Sequence, residues 1–175
     1  MPTMKDRILR AAPLLAVMPI AIGNSEIGTA WLIALALVLF ASELAFFLIP
    51  GVSLSSLLIG MSCLYLGFAP TLIASAFAIN IAHFILRRDI SMFIANLLTL
   101  IPLIGFGTVY GPWVVASFGW GVYGVSIGLV KWGTSIPVGY LLGRNMAKRF
   151  RDFFLEPTIN FFVFLKLHGL FMFLF

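Results

Sequence analysis

LAFFLIPGVSLSSLLIGMSCLYLGFAPTLIASAFAINIAHFIL, residues 44–86, contains no Asp, Glu, Lys or Arg anywhere along its length. A helix that crosses the ~30 Å hydrocarbon core of a bilayer needs about 20 apolar residues, so this one run accommodates two. Pro50-Gly51 and Gly67-Phe68-Ala69-Pro70 divide it into pieces at 52–66 and 70–86, because proline removes an amide donor and glycine admits turn conformations. Further uncharged runs at 27–42 and 90–130 flank it. The polar/apolar alternation over about ten residues that builds a membrane barrel is missing, so the backbone amides of such segments find their partners inside helices. The fold class that follows is all-α. The expected architecture is a polytopic transmembrane helical bundle of six or seven hydrophobic segments, with 1–175 forming a single integral membrane domain. Re-entrant hairpins are the alternative for any two adjacent crossings.

Composition agrees. The chain of 175 residues is 62% hydrophobic and 10% charged, with a mean hydropathy of +1.11, whereas soluble domains carry about 45–50% apolar and about 25% charged residues. The formal net charge of +5 points to membrane orientation and anionic headgroups, not to nucleic acid, because the basic residues flank hydrophobic segments. The single cysteine, Cys63, forms no intrachain disulfide and reads as a buried thiol.

Outward from the central run, the segments are 11–22, 27–49, 52–66, 70–86, 91–104, 118–143 and 158–175. Residues 1–23 read as an uncleaved first crossing, with a signal peptide ending at Ala21-Ile22-Gly23 or a short hairpin as alternatives. Gly105-Phe106-Gly107-Thr108-Val109-Tyr110-Gly111-Pro112 is expected to interrupt helix. Seven crossings from an inside N-terminus put Lys5, Arg7 and Arg10, then Arg87 and Arg88, then Arg144, Lys148, Arg149 and Arg151 on the cytoplasmic side, as the positive-inside rule asks. Five crossings leave the same loops inside. The expected location is the plasma (inner) membrane with a cytoplasmic N-terminus. Residues 144–156 set Arg144, Lys148 and Arg151 on one face and Met146, Phe150, Phe153 and Phe154 on another. That pattern predicts a cytoplasmic interfacial helix, ended by Pro157. Glycines spaced small-xxx-small at 107/111, 124/128 and 139/143 suit close helix packing, within one chain, across a homodimer seam or around a cavity.

Ionisable residues inside apolar segments are costly, at about 2.5–3.5 kcal/mol on the mildest scale, and are therefore the candidate site. Glu43 lies two helical turns before Pro50 and reads as buried, as a proton carrier, ion or headgroup partner, or as a structural hydrogen-bonding group. Lys131 is the only basic residue of 118–143, so Glu43–Lys131 is the expected pair, with snorkelling of Lys131 as the alternative. His83 reads as a group near the interface. The sequence has no G-x-S-x-G, no P-loop and no metal-spaced His/Asp/Glu cluster, so no catalytic, cofactor or metal site is expected and the chain is read as a non-enzyme.

Glu43-Leu44-Ala45-Phe46-Phe47-Leu48-Ile49-Pro50-Gly51 resembles the glutamate and Pro-Gly break of the VTT domain of the DedA / SNARE-associated membrane protein family. The glycine-rich residues 105–144, ending in Gly143-Arg144, are similar to a second segment of that family, and 164–175 to its Lys-x-Gly segment. The resemblance implies opposed re-entrant hairpins and lipid scrambling, flipping or ion-coupled transport. It also implies a transport/lipid site at Glu43 and Arg144, beside the helix break at Pro50 and Gly51. The acidic residue that often follows Pro-Gly in the family is Val52 or Ser53 here. Residues 49–78 look like helices of the substrate-binding subunits of energy-coupling-factor transporters, which gives a binding subunit as a second reading. A structural or assembly subunit of a membrane complex is the third. The expected partners are membrane lipids, with anionic headgroups at the cytoplasmic face, and either a second copy of the chain or a membrane complex.

Overall fold

The computed structural model describes residues 29–48, 55–85, 91–143 and 150–171. Among them the chain is all-α, with six helices: α1 (Thr29–Leu48), α2 (Ser55–Leu66), α3 (Phe68–Ile85), α4 (Ser91–Val109), α5 (Gly111–Leu141) and α6 (Phe150–Phe171). Residues 1–23, Pro50, Gly51, Arg87, Arg88, Arg144, Lys148 and Arg149 lie outside the described residues, as does the side chain of Arg151. Two helices, Phe68–Ile85 and Gly111–Leu141, are long and apolar enough to cross a membrane.

Glycine makes two of the turns. Gly67 takes φ +80° between α2 and α3, a left-handed conformation that side chains with a Cβ resist. α3 then begins at Phe68, and Pro70 sits harmlessly in its first turn, where amides lack intrahelical acceptors. Gly119 takes φ 83° and ψ 173° inside α5. The chain reverses there: the Tyr123 ring lies against Gly107 and Gly111, which a straight helix would carry far away. α5 is therefore a short arm, 111–118, followed by a long arm, 120–141.

The expected interruption at 105–112 is narrower than its glycines suggest. α4 runs through Gly105 and Gly107 to Val109. The Tyr110 amide still bonds to the Phe106 carbonyl at 2.9 Å, and that of Val114 to Tyr110 at 2.9 Å, so helical bonds continue on both sides of Pro112, which has no amide donor to give. Nor does Pro157 end a separate helix, since α6 passes through it. Gly128 explains the tolerance: a Cβ there would lie 2.9 Å from Pro157 Cα, so α5 presses on α6 at the proline and holds the helix across its lost hydrogen bond.

α2 has 12 residues, about 18 Å at 1.5 Å per residue, and packs against all five other helices. Its residues Ser55, Ser56, Leu57, Ile59, Gly60, Met61, Ser62 and Cys63 are buried. Tyr123, fully buried, donates its hydroxyl to the Gly60 carbonyl at 2.7 Å and meets Phe164 edge-on. Of the spaced glycines open to three readings, Gly107, Gly111, Gly124 and Gly128 press on neighbours inside this chain, whereas an added Cβ at Gly143 would meet nothing within 4 Å. Cβ atoms at Gly121 and Gly124 would collide with Phe161 and with Asn160 of α6.

Polar side chains share the apolar interior, and many large apolar side chains face outward. Glu43, Glu156, His83, Asn80, Asn160, Ser55 and Ser56 are buried, while Leu37, Val38, Ile94, Leu98, Trp113, Leu129, Phe154 and Phe162 stand exposed.

Candidate functional site

Two buried carboxyl groups flank the start of α2, one reaching it from α1 and the other from α6. Adjacent serines, the first two residues of α2, meet them: Ser55 hydrogen-bonds Glu43 and Ser56 donates to Glu156 Oε1 at 2.5 Å. The first turn of a helix has unpaired amides and the positive end of the macrodipole, so carboxylates are favoured at this end of α2.

On the α1 side, Glu43 Oε2 lies 3.3 Å from His83 Nε2 of α3. Behind the imidazole, Asn96 of α4 places Nδ2 2.9 Å from His83 Nδ1 and 2.9 Å from Asn80 Oδ1. Asn80 in turn donates to the Ala76 carbonyl at 2.7 Å. Asn80 and His83 share a face of α3 at i, i+3 spacing.

On the α6 side, Glu156 accepts from Lys131 Nζ at 2.7 Å through Oε1 and from Trp132 Nε1 at 2.6 Å through Oε2. Asn160, one turn further along α6, donates to Ser56 Oγ at 3.2 Å. Lys131 also lies 5.8 Å from the Trp132 ring centroid, within cation–π range. The carboxylate thus has donors on both oxygens, which buried ion pairs require to offset desolvation.

This arrangement corrects the expected pairing. Lys131 bonds to Glu156, not to Glu43, and Glu43 pairs with His83. The reason is α5–α6 packing, which brings residues 131 and 156 together across Gly128–Pro157. Lys131 still lies close enough to Glu43 to act on it electrostatically. His83, read as a group near the interface, is buried in the network. Arg144, the third site residue expected from the sequence, lies outside the described residues.

Glu156 was not expected as a site residue. It follows a run of basic and aromatic residues and reads there as part of an interfacial helix. The available signal was Glu156 and Asn160 at i, i+4, two polar groups on one face of an otherwise Phe-rich helix.

Chemically, the site holds charges and aligns hydrogen-bond donors. Among the described residues no three His, Cys, Asp or Glu side chains converge as metal ligands would. Compared with models of protein families, with curated proteins and with solved structures, the chain matches none.

Proposed function

We propose that this chain is a multi-pass protein of the plasma (inner) membrane that moves a lipid or small solute across it without covalent chemistry. The observation that carries the reading is that two carboxyl groups, a histidine and two amides are buried beside the apolar core while many large apolar side chains stand exposed. A water-soluble bundle buries its apolar stripe and exposes its charges, and exposed apolar area on this scale is the mark of contact with lipid or a partner. In lipid the same arrangement is favourable, since ionisable groups face the bundle interior and pair with one another.

α2 supports the transport part of the reading. It is too short to span the ~30 Å hydrocarbon core, yet it is surrounded by the other helices and its first turn meets both buried carboxyl groups. Discontinuous helices with their termini at charged groups are a recurrent device in transporters. The substrate class comes from the resemblance of residues 43–51 and 105–144 to the VTT domain, and Lys and Arg flanking the hydrophobic segments suit anionic headgroups at the cytoplasmic face.

The test is scrambling of fluorescent phospholipids in liposomes containing the purified protein, with Glu43→Gln and Arg144→Ala variants of equal fold. The intact protein is expected to scramble, with a loss of at least tenfold in the Glu43→Gln variant. No scrambling by the intact protein would contradict lipid handling and move the assignment to a solute-binding or assembly subunit. Such a subunit would purify with a partner complex in mild detergent.

A further inference from the structure

One end of the bundle is built by the α2–α3 turn, the junction of α4 with α5, and the last turns of α6. A Cβ at Gly105 would lie 3.9 Å from the Phe68 ring and one at Gly111 2.8 Å from Leu64 Cδ2, so the turn and the junction adjoin. His168 of α6 stacks on Trp120 with ring centroids 5.2 Å apart, which brings α6 to the same end. The large side chains facing outward here are aromatic: Tyr65, Phe68, Tyr110, Trp113 and Phe118 are exposed. Trp113 and Phe118 meet edge to face at 5.4 Å on the short arm of α5. Residues 44–86 and 90–130, which supply all five rings, contain no Asp, Glu, Lys or Arg. Near them α6 carries Lys166, which is exposed.

The opposite end adjoins basic sequence. α3 stops at Ile85, just before Arg87 and Arg88, and α4 starts at Ser91. At 1.5 Å per residue, Phe68 lies about 26 Å from Ile85 along α3, and Tyr110 about 28 Å from Ser91 along the path of α4. The hydrocarbon core of a bilayer is ~30 Å thick. With the basic residues at one headgroup layer, as the positive-inside rule places them, the aromatic end falls at the other. Indole and phenol suit that level, since each has an apolar ring for the acyl chains and an N–H or O–H for the oxygens above them. Lys166 can extend its ammonium to the same level along its methylene stem.

We propose that Tyr110 and Trp113, with Tyr65 beside them, hold this end of the bundle in the leaflet opposite the basic loops, and that their partner is the glycerol and headgroup layer of phospholipid. The occupant follows from depth. Tyr65, Phe68 and Trp113 stand on three different helices and reach one level, about one hydrocarbon thickness from the basic residues. A bilayer requires that spacing, and a protein partner does not. The proposal rests on the membrane placement of the chain and goes beyond it by fixing the depth of named side chains. The two ends then hold their leaflets by different chemistry, Lys and Arg charge at one and hydrogen-bonding aromatic rings at the other.

The experiment is fluorescence quenching of the full-length protein in phosphatidylcholine vesicles whose acyl chains carry bromine either near the headgroup or near the chain end. The emission lost in a Trp113→Phe variant is the contribution of Trp113. Adding Leu129→Trp to that variant places an indole at an exposed position halfway along the long arm of α5, near the middle of the bilayer. Both substitutions change outward-facing side chains, and circular dichroism matching the intact protein confirms their fold. Bromine near the headgroup is expected to quench Trp113 more than bromine near the chain end, and the order is expected to reverse for the indole introduced by Leu129→Trp. Equal or stronger quenching of Trp113 by the deep bromine, or quenching by aqueous iodide with none from either lipid, overturns the proposal while leaving the Leu129→Trp result intact. Failure of the membrane placement is seen separately, as a Leu129→Trp indole that neither brominated lipid quenches.

Discussion

Replacing Glu156 with alanine is expected to destabilise the bundle by roughly 3–5 kcal/mol, the range found when one partner of a buried ion pair is removed. The loss is larger than that of one contact because three donors depend on this carboxylate. Lys131 Nζ at 2.7 Å, Trp132 Nε1 at 2.6 Å and the Ser56 hydroxyl at 2.5 Å would all lose their acceptor at once. The Lys131 ammonium, mostly buried, would lose its ion-pair partner. Two further variants separate charge from shape. Glu156→Gln keeps an acceptor but loses the ion pair, and should fall between the alanine variant and the intact protein. The double variant Lys131→Met, Glu156→Leu removes both charges and should recover much of the loss, since apolar residues of similar volume often replace buried pairs at little cost. Unfolding of the purified protein in detergent, followed by circular dichroism, is the measurement. A Glu156→Ala protein that unfolds at the same midpoint as the intact one would show that the ion pair does not hold α5, α6 and α2 together.

A single methyl group at Gly124 is the second large perturbation. The Cβ of alanine would lie 2.6 Å from the Asn160 carbonyl oxygen, 2.8 Å from Phe164 Cδ2 and 2.9 Å from the Asn160 carbonyl carbon. Two of these three are backbone atoms of α6, which cannot rotate aside as a side chain can. The helices must separate, at a cost of about 1–3 kcal/mol for overpacking, and Asn160 is drawn away from Ser56. Gly133, on the same helix, has nothing within 4 Å of an added Cβ. Gly133→Ala should therefore be neutral or stabilising by up to about 1 kcal/mol, from helix propensity. Comparing the unfolding midpoints of the two alanine variants removes the propensity contribution. Equal midpoints would contradict the close α5–α6 approach.

The helices were largely legible because their signals are local. Uncharged length places α1, expected at 27–49 and found at Thr29–Leu48, and the glycine at 67 places the turn between α2 and α3. Proline misled at one position. Pro157 reads as a terminator but sits in α6, since its cost depends on whether a neighbour braces the helix, and Gly128 is 29 residues away in sequence. Gly119 is one of many glycines between 105 and 143, and nothing in its neighbours marks it as the one where the chain reverses.

The site was legible by residue type and not by partnership. Glu43 and Lys131 stand out as ionisable groups in apolar sequence, and both are in the network. Their partners depend on which helices touch and in what register. His83 was seen, but its environment depends on Asn96, whose amide is unremarkable in sequence. Glu156 was hidden because neighbouring basic residues made a solvated or interfacial face the simpler reading.

The central claim is that the apolar outer face meets lipid while the charged groups are held within. It is tested most directly by spin labels on Leu37→Cys, Leu98→Cys, Leu129→Cys and Phe162→Cys, made singly in a Cys63→Ala background and reconstituted in lipid nanodiscs. These positions are exposed and lie on four different helices. Accessibility to oxygen, which concentrates in lipid, is compared with accessibility to a water-soluble nickel chelate. High oxygen and low nickel accessibility at all four positions is the predicted result; nickel access at these positions would contradict the account.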